Sequence, residues 1–129
     1  MAIAKQLTVT LENRPGALAE LCTELAKVAV NIEAIQASDT KPIGPVRLLV
    51  SHPDAAKKVF ERLSVKYSEE DVVAILVKNR PGSLGRLTRK LADKGINVEY
   101  LYATIGRSAR PALIVLGVTD VKAAARVAR

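Results

Sequence analysis

The sequence predicts an α+β chain of two tandem βαββαβ modules, each an antiparallel sheet with two helices on one face. Three observations carry that prediction. First, Asn13-Arg14-Pro15-Gly16-Ala17-Leu18 returns as Asn79-Arg80-Pro81-Gly82-Ser83-Leu84, 66 residues later. Second, the same offset, taken without a gap, pairs Leu21 with Leu87, Leu25-Ala26 with Leu91-Ala92 and Asn31-Ile32-Glu33 with Asn97-Val98-Glu99. It continues to Ala37 and Ala103, Pro45 and Pro111, and Asp54 and Asp120. Third, stretches of period two alternate with stretches of helical period inside each copy. Two copies of so long a period make a duplicated domain, not a solenoid. The division expected is 1–68 and 69–129.

The elements follow in order. Leu7, Val9 and Leu11 alternate with polar residues, as do Val73, Ile75 and Val77 with their neighbours, which marks a half-buried strand. Asn-Arg-Pro-Gly then leads into a helix, with proline expected at the first helical position, where its fixed φ helps. Leu18, Leu21, Cys22 and Leu25 fall at helical spacing, and so do Leu84, Leu87 and Leu91. Gly95 suits a left-handed helix end, where copy one has Ala29. A second strand is expected over Asn31 to Ser38 and Asn97 to Ile105, then loops at Asp39 to Pro45 and Gly106 to Pro111. Val46, Leu48 and Val50 mark a third strand, matched by Ala112, Ile114 and Leu116. A second helix carries Ala56, Val59, Phe60 and Leu63, and in copy two Val121, Ala124 and Ala125. Ser64 to Ser68 is a candidate fourth strand of copy one. Copy two is expected to lack this strand, leaving a sheet edge for a neighbouring module or a second subunit to cover. This is the ferredoxin-like plan.

Composition narrows the class. The chain has 129 residues, 49% hydrophobic and 26% charged, the mix of a globular protein. A module of about 60 residues is marginal alone, so two would lean on each other or on a second chain. No signal-peptide-length or membrane-length apolar run occurs, and the expected location is cytoplasmic. The single cysteine, Cys22, excludes an internal disulfide. The net charge of +7 is concentrated after Val65, where twelve Lys/Arg face six Asp/Glu. Such a balance fits an acidic partner or a solvated basic face.

The duplicated loop brings the chain from a strand end into a helix start. The first amides of a helix lack internal partners, and the helix dipole adds partial positive charge, so this end suits a carboxylate or phosphate. Gly16 and Gly82 leave the backbone open, and Asn13 and Asn79 add amides that donate and accept. The start of the second strand lies near the far end of the first helix. Asn31 and Asn97 would therefore reach a ligand only across an interface, or simply cap the helix.

Leu-Glu-Asn-Arg-Pro-Gly-Ala-Leu followed by Val-Asn-Ile-Glu, and Val-Lys-Asn-Arg-Pro-Gly-Ser-Leu followed by Gly-Ile-Asn-Val-Glu, resemble the ACT domain. The likeness spans Gln6 to Lys66 and Asp71 to Val127 and is greatest to small stand-alone tandem members. It implies a regulatory module that binds an amino acid, commonly between modules. By position it implies ligand contacts from Asn13, Arg14, Pro15, Gly16, Ala17, Leu18, Asn31 and Ile32. In copy two these are Asn79, Arg80, Pro81, Gly82, Ser83, Leu84, Asn97 and Val98. Serine-binding members carry a histidine two places before the loop asparagine. Leu11 and Val77 stand there instead, an apolar wall that leans towards a larger or more hydrophobic amino acid.

Other residues offer less. His52 precedes Pro53 without a catalytic partner, Cys22 belongs to an apolar helix face, and together they cannot form an ordinary metal site. Glu33 and Glu99 favour a structural role. Tyr100 and Tyr102 share a strand face where copy one has Ala34 and Gln36. The expectation is a non-enzymatic allosteric sensor without cofactor or metal, a homodimer that acts on itself or on a separate metabolic enzyme. The alternative is a constitutive regulatory subunit of an amino-acid metabolic enzyme. An RRM-like RNA-binding protein shares the element order, but its first and third strands need aromatics, and none occurs here.

Overall fold

The computed structural model describes residues 2–38, 42–107 and 110–127. Among them the elements run β1 (Ala2–Glu12), α1 (Ala17–Lys27), β2 (Ile32–Ala37), β3 (Ile43–Val50), α2 (Pro53–Arg62), β4 (Tyr67–Val77), α3 (Ser83–Asp93), β5 (Val98–Thr104), β6 (Ala112–Val118) and α4 (Val121–Val127). The chain forms two compact units, residues 5–70 and residues 1–4 with 71–129. The first is a βαββαβ arrangement, and the second is βαββα with the first residues of β1 as its fourth strand, in an α+β fold.

In the unit of residues 5–70 the strands stand in the order β2-β3-β1-β4, with β3 antiparallel to both β1 and β2. The period-two alternation sends Leu7, Val9, Val46, Leu48 and Val50 to one face. There they meet Leu21 and Leu25 of α1 and Ala56, Val59 and Phe60 of α2. Each large side chain in this layer contributes about 1.5–3 kcal/mol by burial.

A polar group lies beside this core. Glu70 accepts hydrogen bonds from Thr8 Oγ1 at 2.6 Å, Gln6 Nε2 at 3.2 Å and the Ser68 hydroxyl, and Gln6 is fully buried. Burial pushes the Glu70 carboxyl up, but these donors and the nearby Arg47 outweigh it and hold its pKa below the usual range. The folded value is therefore below the unfolded one of about 4.3. The stabilisation is complete above that pH and is lost as pH falls through the folded value. Urea midpoints between pH 7 and pH 3 should fall more steeply for the wild type than for Glu70→Gln. Parallel profiles would remove Glu70 from the acid response.

In the second unit the order is β1-β4-β6-β5, with β6 antiparallel to β4 and β5. Only the first residues of β1 belong to this unit. They stand beside β4, where copy one has its own fourth strand. Val73, Ile75, Ile114, Leu116 and Val118 form the core with Leu87 and Leu91 of α3 and Ala124 of α4.

The ungapped repeat is corrected by the strand register. Val73 stands 66 residues after Leu7, but its partner Leu116 stands 68 after Leu48, the partner of Leu7. The β5–β6 connection, Ile105 to Pro111, is two residues longer than the Ser38 to Pro42 connection. Pro45 therefore corresponds to Leu113, and His52, not Asp54, corresponds to Asp120. The helices agree: Ala56 N donates to His52 O as Ala124 N donates to Asp120 O. The chance repetition of proline and aspartate at the old offset concealed the insertion.

That register uncovers an exchange of size. Ala34 faces Leu49 in copy one, and their counterparts Tyr100 and Gly117 face each other in copy two. A β-carbon on Gly117 would stand 2.2 Å from two atoms of the Tyr100 ring. The small residue has changed strands, so the ring fits.

Strand limits also differ from expectation. The second strands are shorter by a residue at each end, and β3 begins at Ile43, so Gly44 and Pro45 are strand and not loop. Residues 39–41 and 108–109 of the expected loops lie outside the described residues. Of the candidate strand at Ser64 to Ser68 only Tyr67 and Ser68 are strand, continuous with the first strand of copy two as β4, while Ser64 and Val65 cap α2.

Helix ends follow one scheme. Val30 N bonds Leu25 O and Ala29 N bonds Ala26 O, while Ile96 and Gly95 repeat this on Leu91 and Ala92. Val65 and Ser64 do the same on Phe60 and Glu61. This is the Schellman cap, which requires a left-handed residue. Gly95 supplies it at φ 71°, as expected, but Ala29 adopts 59° and Ser64 adopts 56°. An L residue there costs roughly 1–2 kcal/mol, partly offset by the entropy a glycine would lose. Ala29→Gly is expected to stabilise by about 0.5–1 kcal/mol, a few degrees in Tm by calorimetry.

Candidate functional site

The loop between β1 and α1 is a tight turn. Ala17 N donates to Arg14 O at 3.3 Å, Pro15 is second and Gly16 is third with φ 90°. That is a type II turn, in which Pro-Gly is the favoured central pair. Proline is thus a turn residue and not the first helical residue, a correction that the Pro-Gly pair itself could have signalled. Arg80, Pro81, Gly82 and Ser83 repeat it, with Ser83 N to Arg80 O at 3.2 Å and Gly82 at φ 90°. The helix then begins with no side-chain cap, and Glu20 N bonds back to Gly16 O at 2.8 Å. The turn takes the Ala17 amide, leaving those of Leu18 and Ala19 as the first-turn groups with no acceptor in the helix.

Around the copy-one turn lie two adjoining grooves. The larger, about 480 Å³, is lined by Leu11, Arg14, Ala17, Glu20, Leu21, Ile43 and the segment Leu63 to Lys66, among others. The smaller, about 140 Å³, adds Asn13, Leu18, Ala37, Ser38, Gly44 and Val46. Leu11 lines both grooves. The linings mix apolar residues with polar and charged ones, Glu12, Arg14 and Glu20 among them, a form suited to a small amphipathic molecule.

Arg14 is already engaged. Its Nη2 lies 3.2 Å from Glu20 Oε2 and its Nε 3.7 Å from Glu12 Oε2. The bond to Glu20, ahead of its charge and that of Glu12, raises the arginine pKa. Asn13 N bonds Pro42 O at 2.8 Å, tying the turn to the start of β3. In copy two Asn79 Nδ2 donates to Gly106 O at 2.9 Å, tying the turn instead to the segment after β5.

The expected site residues separate into two places. Asn13, Arg14, Ala17 and Leu18 line the grooves, while Asn31 and Ile32 line neither. Asn31 N bonds Ser51 Oγ and Asn31 O accepts from Ser51 N, both at 2.9 Å, which ties the start of β2 to the end of β3. The residues beside the turn are Ala37, at the other end of β2, and Ser38 just after it. Leu18 and Leu84 do not belong to the core faces of their helices, being 40% and 42% exposed. Sequence reading missed Ile43 and the Leu63 to Lys66 wall, which come from distant segments with no motif. Copy two has no counterpart of that wall among the described residues.

Two compact α+β units, each with a Pro-Gly turn opening its first helix, define a duplicated module. The ACT domain pair family matches residues 1–126, and the chain belongs to that family. The chain is similar to the protein BT0572 from Bacteroides thetaiotaomicron, with 31% identity and a TM-score of 0.89, over 97% of this chain and 85% of that one. It shares its fold with the ligand-free regulatory subunit of aspartate kinase from Thermus thermophilus, at 16% identity and a TM-score of 0.67, covering 98% and 95% of the two chains. The corresponding subunit from Thermus flavus matches with 16% identity and a TM-score of 0.62, over 98% and 93%. No curated protein matches the chain. No described helix is long and apolar enough to cross a membrane.

Proposed function

We propose that this chain is a non-catalytic regulatory protein of the cytoplasm that senses a small molecule, most simply an amino acid, at the turn opening the first helix of a copy. The observation that carries the reading is the turn itself. Both copies keep Asn-Arg-Pro-Gly in one type II turn geometry, and in copy one it borders grooves lined by apolar and polar residues. Family membership and the likeness to regulatory subunits support it. The ligand would shift a population between states, read out by association of the chain with itself as a dimer or with a separate metabolic enzyme. Asn13 to Leu18 and Asn79 to Leu84 are the proposed contacts. Asn31, Ile32, Asn97 and Val98 contribute only where a second module brings them to a ligand.

A thermal-shift screen against the twenty amino acids tests this. A ligand that binds only the folded chain adds about 2.7 kcal/mol at a hundredfold excess over its Kd. The control variant is Asn13→Ala with Asn79→Ala, since substituting Gly16 or Gly82 would strain a φ of 90° and confuse folding with binding. A shift abolished by the variant supports the reading. No shift with any amino acid at millimolar concentration rejects it.

A further inference from the structure

The two copies of the loop differ in charge. Across the turn, the first helical turn and the adjoining strand-to-strand connection, copy one carries Glu12, Arg14, Glu20, Asp39 and Lys41. Copy two carries Lys78, Arg80, Arg86, Arg107 and Arg110 and no acid. Position by position, Lys78 replaces Glu12 and Arg86 replaces Glu20, so Arg80 stands among cations where Arg14 is paired with two carboxylates.

Lys78 and Arg80 are in or next to the turn by sequence, and the structure sets Arg86 and the stem of Arg110 near it. Arg86 Nη1 lies over the turn, 2.8 Å from where a β-carbon of Gly82 would stand, and its Nη2 is 3.3 Å from Ser83 Oγ. The Asn79 bond brings Gly106 to the turn, and the Arg110 β-carbon is 3.7 Å from the β-carbon position of Gly106. All five cations are exposed, and none pairs with a carboxylate among the described residues. Like charges gathered this way repel one another, and a bound anion relieves the repulsion. Two arginine forks can each take one carboxylate. No aromatic residue occurs in Val77 to Arg86 or Ile105 to Pro111 to stack a base, which favours a small anion over a nucleic acid.

We propose that the copy-two loop takes a dicarboxylic amino acid, and that Glu12 and Glu20 exclude the same ligand from copy one. This rests on the sensor reading and specifies the ligand class of one of its two sites. The test is titration calorimetry of the full chain with L-aspartate and L-glutamate, against L-asparagine, L-glutamine and inorganic phosphate. The expected result is one acidic amino acid per chain, bound at least tenfold more tightly than its neutral amide. Binding should be lost in Lys78→Glu with Arg86→Glu, and a second site should appear in Glu12→Lys with Glu20→Arg. Equal binding of a neutral amide, or acidic binding that survives the first variant, overturns the inference and leaves the sensor reading standing. Phosphate or a short RNA oligonucleotide binding at this loop in place of any amino acid overturns it too. Binding of no amino acid at all rejects both readings.

Discussion

Gly117→Leu is expected to destabilise the chain by about 3 kcal/mol or more, and Tyr100→Ala in the same molecule to restore most of that loss. The β-carbon alone meets the Tyr100 ring at 2.2 Å, so leucine must expel the ring or bend β6. Overpacking of this kind typically costs 1–3 kcal/mol, and Gly117 is buried in the interior of a strand, where relaxation is limited. The double variant recreates the Ala34 and Leu49 pair of copy one. Contacting residues commonly couple by 0.5–3 kcal/mol, and here the sign should be favourable. Urea denaturation of the four proteins of the cycle measures it. Additive losses would mean that the two sizes are independent accidents.

Phe60→Ala is expected to cost about 3–5 kcal/mol, since the ring is fully buried and its loss leaves a cavity. Phe60 also packs its ring at a tilt against Tyr67, with centroids 5.5 Å apart, and its carbonyl holds the Val65 amide in the cap that turns the chain into β4. The substitution therefore loosens the entry to β4 as well as the core of residues 5–70. Because β1 and β4 are each single strands with residues in both units, calorimetry should record one transition at a lower temperature. Two separated transitions would show that the units melt independently.

The parts of this fold that could be read in advance were those with a local cause. Alternation at Leu7, Val9 and Leu11 comes from strand geometry, and the spacing of Leu21 and Leu25 from helix geometry. The turn needed only its glycine and proline to be noticed, although proline at a helix start and proline in a type II turn have almost the same sequence signature. What escaped has a tertiary cause. The run Ser68-Glu69-Glu70-Asp71 breaks alternation and resembles a linker. It is strand because Glu69 pairs with Lys57 at 2.8 Å and Glu70 takes up Thr8, Gln6 and Ser68. The two-residue insertion lies in a connection with no periodicity, so nothing local announced it. Of the candidate site, the turn was legible and its walls were not, because Ile43 and Leu63 to Lys66 reach it only through the fold. Asn31 joins β2 to the end of β3 through backbone bonds to Ser51, which do not require its side chain.

The shared strands carry a consequence for how such a gene can change. Residue 68, where the repeat predicts the division, lies inside β4, and Ala2 to Ala4 belong to the unit that is encoded last. A gene split at that point would give one product short of Glu69 and Glu70 and another short of its strand from β1. Neither product carries a complete sheet, so recombination that shuffles single modules would be selected against. The pair, and not the single module, is then the unit that folds, while its two loops can still differ in charge.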